Sequence, residues 1–192
     1  METFCMADVV DFGSSRRTAA DLLALLAGLH KAVEHACESA GIPLSSCRME
    51  ETGDGFLISA PEDVGRSAFA GVFLTDLNNE LRHHNERHPP GAQIRLRLAL
   101  NTGEVTRDAN RAVSLGIIHT QRLLDSRPLR KAIESSTAVL AVIVSSAFYR
   151  DFVRQGEEFV PAAYSKVLVN IKQTRDYAWI RLLNDDLPPH RD

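Results

Sequence analysis

The chain has 192 residues, 44% of them hydrophobic, which is enough for one compact domain with a sizeable core. Its net charge of −3 and pI of about 6.2 argue against a dedicated nucleic-acid binder, which is usually basic. Cys5, Cys37 and Cys47 lack CxxC spacing and read as reduced core residues, no stretch approaches the roughly 18 apolar residues that span a membrane, and no signal-peptide pattern opens the chain, so a cytoplasmic protein with no membrane partner is expected.

Residues 3–10 read as a buried strand, an apolar run broken by one carboxylate, Asp8. A bare carboxylate there is costly unless it is paired or holds a metal. "DFGSSRR" is a polar, Gly-containing loop, and Thr18 is a plausible N-cap with Asp21 three residues on. Leu22, Leu25, Leu26, Leu29, Val33 and Ala36 repeat at helical spacing to about residue 40, where Gly41 and Pro43 stop the helix. A hairpin follows, with strands at 46–52 and 56–60 around "GDG" at 53–55. Val72, Phe73, Leu77 and Leu81 mark a second helix ending near "RHPPG". "QIRLRLAL" is a strand with Ile94, Leu96, Leu98 and Leu100 on one face and Arg95 and Arg97 on the other. A helical stretch lies within 113–134, "AVLAVIVS" reads as a buried strand, and a short helix covers about 146–154. "KVLVNIKQTRDYAWIRL" gives one or two further strands with a turn near Gln173. The reading is a single α/β domain over 1–185 with a short tail at 186–192: a ferredoxin-like β-α-β-β-α-β sheet with helices on one face, plus C-terminal strands. That order alone says nothing about function.

Two carboxylates lie on or beside strands, Asp8 and Asp54, the latter between two glycines that let backbone approach a ligand closely. Mg²⁺ is usually held by one or two carboxylates together with substrate phosphates. If the first strand lies beside the hairpin, the two aspartates can share such ions. The bland alternatives are an ordinary hairpin turn for "GDG" and a water-facing strand-end carboxylate for Asp8.

These segments resemble the catalytic domains of class III nucleotidyl cyclases, the adenylyl and guanylyl cyclases. "ADVVDFG" is similar to their "ADIxGFT" strand and loop, "RMEETGDGFLIS" to their "GDG" hairpin, and "RLALNTGEV" to "RIGIHTGEV". "SLGIIHTQRLLDS" stands where the family has "GxxVNxAxRL", and "VLVNIKQTRDYAWIRL" resembles its closing strands. The matches keep the family's order from about residue 4 to 182. The resemblance implies that Asp8 and Asp54, with the carbonyl of Val9, hold two divalent cations (Mg²⁺ or Mn²⁺). It implies that backbone amides around Phe12 and Gly13 cradle the β- and γ-phosphates, that Arg122 stabilises the transition state, and that Lys172 contacts the triphosphate. The implied reaction is in-line attack of the ribose 3′-hydroxyl on the α-phosphorus of a nucleoside triphosphate, in a homodimer with shared sites. One copy would give the aspartates and Glu50, the other the Arg111 and Arg122 region. Read without the resemblance, Arg122 is a helix-surface arginine and Lys172 a solvated strand-end lysine.

Glu50 and Arg111 fall on the family's base-reading positions. A carboxylate accepts and a guanidinium donates, so together they suit guanine, uracil or cytosine better than adenine. A salt bridge between the two is the alternative. The family includes bacterial proteins that make cyclic pyrimidine nucleotides for antiviral signalling. One position departs: four residues before Arg122, where the family has asparagine, stands Ile118, which has no hydrogen bond to give. The neighbouring His119 could donate, at the cost of a one-residue slip in register, and the glycine expected four before Ile118 is Ser114. A catalytically impaired, cyclase-like nucleotide-binding sensor or interaction module is therefore the alternative reading. "RHHNERH" places His84 and His88 one helical turn apart, a metal-compatible spacing or a solvated helix end. No Walker A, Rossmann or GxSxG motif occurs.

Overall fold

A computed structural model describes residues 1–64, 66–107, 112–156, 159–172 and 174–183. Arg111, Gln173, the expected domain end at 185 and the tail at 186–192 lie outside the described residues.

The centre of the fold is β1 (Glu2–Val9), whose alternate side chains enter two separate cores. Cys5, Ala7 and Val9 point to one face of the sheet, Phe4 and Met6 to the other. β1 pairs antiparallel with β3 (Gly55–Ala60) on one side and β4 (Leu96–Gly103) on the other, and β2 (Arg48–Glu51) edges β3. The order β2-β3-β1-β4 is the ferredoxin-like arrangement expected from the sequence. The sheet then continues through β7 (Leu140–Ser145), parallel to β4, and the antiparallel pair β9 (Thr174–Leu183) and β8 (Ser165–Ile171). A separate two-stranded ribbon joins β5 (Thr106–Arg107) to β6 (Ala112–Val113).

One face carries α1 (Ala19–Ser39) and α2 (Val72–Arg87). Thr18 opens α1 with a full capping box: its hydroxyl accepts from Asp21 N–H, and the Asp21 carboxylate accepts from Thr18 N–H at 2.8 Å. Leu25, Leu29, Val33 and Ala36 are buried, whereas Leu26 stays at the surface, so the apolar stripe is narrower than its leucines suggested. The other face is covered by two helices, α3 (Leu115–Leu124) and α4 (Arg127–Glu134), into which the helical stretch at 113–134 divides. The chain turns at Asp125 and Ser126, and Pro128 restarts the helix in its first turn, where no amide is needed. Arg95 ties α4 to the sheet by donating to the carbonyls of Ile133 (2.6 Å), Ser136 (2.8 Å) and Ala138 (3.1 Å), a cation at a helix C-terminus. The short helix near 146 is α5 (Ser146–Phe148) followed by one wide turn, Tyr149–Val153.

His84 and His88 are structural. Their rings stack at 3.8 Å, His84 Nε2 meets the Ala92 carbonyl at 2.9 Å, and His88 Nδ1 meets the His84 carbonyl at 2.8 Å. They lock the end of α2 onto the turn that follows it, and α1 leaves room for the His84 ring at Gly28. Among the described residues no group of three or more His, Cys, Asp or Glu side chains is arranged to hold a metal, and no helix is long and apolar enough to cross a membrane.

Candidate functional site

Asp8 stands near the end of β1 on the α3–α4 face, directly opposite Arg97 of β4. The two form a bidentate pair, Nε to Oδ1 at 2.8 Å and Nη2 to Oδ2 at 2.6 Å, with only 13% of the Asp8 side chain and 15% of that of Arg97 exposed. Burial lifts the Asp8 carboxyl above its ordinary range; Arg97 pulls it down, while Asp54 and Asp125 push it further up. Register explains the pair: side chains directly opposite in an antiparallel ladder share a face.

Asp54 is brought beside Asp8 by the hairpin. Gly55 is the register partner of Asp8, and Val9 N–H donates to the Asp54 carbonyl at 2.9 Å. The glycine is required there. A Cβ at Gly55 would lie 1.8 Å from the Ala7 carbonyl oxygen and 2.9 Å from Asp8 Cα, both backbone atoms that cannot move aside. Gly53 holds the other end of the turn at φ +88, in the left-handed region. Gly55→Ala is expected to lose about 3 kcal/mol of unfolding free energy in urea titration, the upper end of overpacking, because β1 and β3 must separate where the aspartates meet.

Beyond β1 the chain loops over Phe12 and Gly13. Asp11 sits at φ 54, Ser14 N–H turns back to the Asp11 carbonyl at 3.1 Å, and a Cβ at Gly13 would meet nothing within 4 Å. Among the described residues neither Phe12 nor Gly13 N–H has a protein acceptor. Arg17 fastens the loop from behind, donating to the carbonyls of Gly91 (2.8 Å), Gln93 (3.2 Å) and Asp11 (3.2 Å). Two carboxylates, one strand-end carbonyl and a turn with unengaged amides lie at this end of β1, with both Asp8 oxygens already accepting from Arg97 and only their remaining lone pairs open to a further ligand. That chemistry fits hard divalent cations carrying phosphate.

Glu50 lies on the same face of the sheet as Asp8, since it pairs in register with Leu57 of the second core. It forms an ion pair with Arg48, Oε1 to Nε at 2.6 Å, and both side chains are about half exposed, at 48% and 58%. The alternative pair with Arg111 lies outside the described residues. Arg122 and Lys172 stand on other elements. Arg122 is half-buried on α3; Lys172 is exposed at φ 53 in the β8–β9 turn, three strands from β1. Ile118 is 44% exposed, on the outer side of α3. One chain therefore gathers Asp8, Val9, Asp54, Phe12, Gly13 and Glu50 around β1–β3, and offers Arg122 and Lys172 elsewhere.

Sequence reading missed two arginines, Arg97 and Arg17. It placed Arg97 on a strand face but had no register with which to pair it to Asp8. Ser114, a departure from the glycine of the resembled family, caps α3: its hydroxyl accepts from Ile117 N–H at 3.3 Å and donates to the Glu104 carbonyl at 2.7 Å. Close approach of α3 to the sheet is provided by Gly116, where a Cβ would lie 2.5 Å from Phe4 and 3.1 Å from Gly103 Cα.

This architecture is the fold of adenylyl and guanylyl cyclase catalytic domains. The chain is similar over 96% of its length, and 96% of the other chain, to the adenylate/guanylate cyclase/hydrolase from Silicibacter pomeroyi, with 18% identity and a TM-score of 0.66. The adenylyl cyclase CyaB from P. aeruginosa matches 97% of this chain with 96% of its own, at 12% identity and a TM-score of 0.57. The guanylate cyclase domain of RhGC from Catenaria anguillulae, solved in complex with GTP, matches 95% of this chain with 97% of its own, at 17% identity and a TM-score of 0.52. No family model and no curated relative matches the sequence.

Proposed function

We propose that the chain is a nucleotidyl cyclase, converting a nucleoside triphosphate to its 3′,5′-cyclic nucleotide and pyrophosphate. The observation that carries this reading is the placement of Asp54 next to Gly55, the register partner of Asp8, below a loop with unengaged amides, in a domain of cyclase fold. Asp8, Asp54 and the Val9 carbonyl would hold two divalent cations, which, when bound, lower the pKa of the attacking hydroxyl and neutralise charge on the phosphates. The chain's own groups do the rest: Phe12 and Gly13 amides hold the β- and γ-phosphates, Lys172 contacts the triphosphate, and Arg122 steadies charge at the α-phosphorus. Glu50 and Arg111 read the base edge and favour GTP or a pyrimidine triphosphate over ATP. The split of these residues between two regions of one chain supports a homodimer, each site completed by the second copy.

The test is incubation with Mn²⁺ or Mg²⁺ and ATP, GTP, CTP or UTP separately, with chromatographic detection of a 3′,5′-cyclic product. A product from at least one of them is expected. Ile118 favours a second reading, a nucleotide sensor that binds without turnover, because α3 exposes there a side chain with no hydrogen bond to give. Metal-dependent triphosphate binding with no product from any of the four would select it. Ile118→Asn separates an impaired site from a rebuilt one. If the site is impaired, turnover rises by roughly 10²-fold, the scale of one restored donor; if it is rebuilt, the rate stays level or falls.

A further inference from the structure

α3 buries Thr120, Leu123 and Leu124 against the sheet and exposes Leu115 and Ile118 on the opposite side. His119 borders the buried stripe, and Arg122, three residues on, lies only ~60° further round the helix, between Leu115 and Ile118. No slip in register is needed for the two to act on one ligand. His119 also forms part of the wall of an open cleft of about 510 Å³, built from the end of β4, the loop after it, the start of α5, and β9.

Three polar side chains of that cleft are engaged within the chain. Asn101 donates to the Gly116 carbonyl at 3.1 Å, Ser145 Oγ accepts from Phe148 N–H at 3.1 Å, and Asp176 Oδ1 accepts from Tyr177 N–H at 2.7 Å. Among the described residues the His119 ring makes no hydrogen bond, although it stands within electrostatic reach of Asp176 and Arg122. Burial holds its pKa below the ordinary histidine value, with Asp176 opposing and Arg122 assisting. At neutral pH the imidazole is therefore uncharged, with one N–H to give and one nitrogen to accept. Glu104, the other carboxylate lining the cleft, faces the same space.

We propose that His119, oriented by Asp176, gives the hydrogen bond from α3 to the ribose–α-phosphate unit of the bound nucleotide that Ile118 cannot give. His119 then touches substrate, and Asp176, lining the same cleft, is a positioning residue whose charge favours the N–H on the ring nitrogen nearer to it. This rests on the nucleotide-cyclising reading above. It turns the departure at Ile118 into a transfer of the same duty to the next side chain along the helix.

The experiment uses the whole chain with ¹⁵N-labelled histidine, Mg²⁺, and the α,β-methylene analogue of whichever triphosphate binds best. The His119 ring nitrogens, assigned by their loss in His119→Gln, are expected to shift on saturation, and Asp176→Asn to change their tautomer balance. His119→Ala is expected to lower turnover roughly 10²–10³-fold with nucleotide affinity changed only a few-fold, and His119→Gln to recover part of the loss. Ring nitrogens that stay still in a saturated complex overturn the proposal, as does wild-type turnover in His119→Ala. If the wild type binds nucleotide but forms no cyclic product, the cyclase reading falls while the ring-nitrogen shift still decides the contact. If no triphosphate binds at all, both fall.

Discussion

Asp54→Ala is expected to reduce metal-dependent turnover by on the order of 10³-fold or more and to remove metal-dependent triphosphate binding, while leaving the melting temperature unchanged. The two roles of this residue are separable. Its backbone carbonyl accepts from Val9 N–H and holds the hairpin against β1, and alanine keeps that bond. Its carboxylate is the part available to a cation. Mn²⁺ titration by calorimetry with a triphosphate present, alongside the cyclic-product assay, measures both quantities. Unchanged nucleotide binding in a folded Asp54→Ala protein would sink the metal assignment. Asp8 is a poorer probe, because its removal also strands the guanidinium of Arg97.

The second large effect concerns that guanidinium. Arg97→Met leaves the Asp8 carboxylate buried without its bidentate partner, and is expected to cost about 3–5 kcal/mol at neutral pH. Asp8→Asn in the same chain should restore much of the loss, since the uncompensated charge is then gone. Acid should narrow the deficit. Burial already raises the Asp8 carboxyl, and without Arg97 both influences that lower it disappear. A raised folded-state value means the protonated form is the better tolerated, so the variant lies nearest wild type below the ordinary aspartate range of about 3.9 and falls away as pH rises. Urea unfolding at several pH values reads this directly. Equal midpoints for wild type and Arg97→Met at pH 7 would show that the pair contributes nothing.

Much of the fold was legible because its signals are local. The capping pair Thr18 and Asp21, the stop at Gly41 and Pro43, and the alternation of Leu96, Leu98 and Leu100 each report on a few neighbouring residues. From them came the β-α-β-β-α-β order and the second helix. What was not legible depends on which strands meet and in what register. Asp8 was recognised as a carboxylate in need of a partner, but no spacing rule links it to Arg97, 89 residues away. Likewise Arg95 read only as a residue on the strand face opposite the leucines, whereas its work is to bind the end of α4. The division of residues 113–134 into two helices turned on Pro128, and the role of Gly116 on a close approach that only packing reveals. The site followed the same pattern. The "GDG" turn could be found from its letters, while the half-buried flank of His119 required knowing which side of α3 faces the sheet.

The glycine contact between β4 and α3 has a mechanical consequence. Gly103 meets Gly116 so closely that one added methyl would not fit between them, and six residues earlier on the same strand stands Arg97, clasping Asp8. About 20 Å of central strand thus joins the foot of one helix to the carboxylate at the far end. In a homodimer whose sites draw on opposite ends of each copy, β4 would be a stiff tie rod between two reaction centres, and a load applied at one end would be felt at the other.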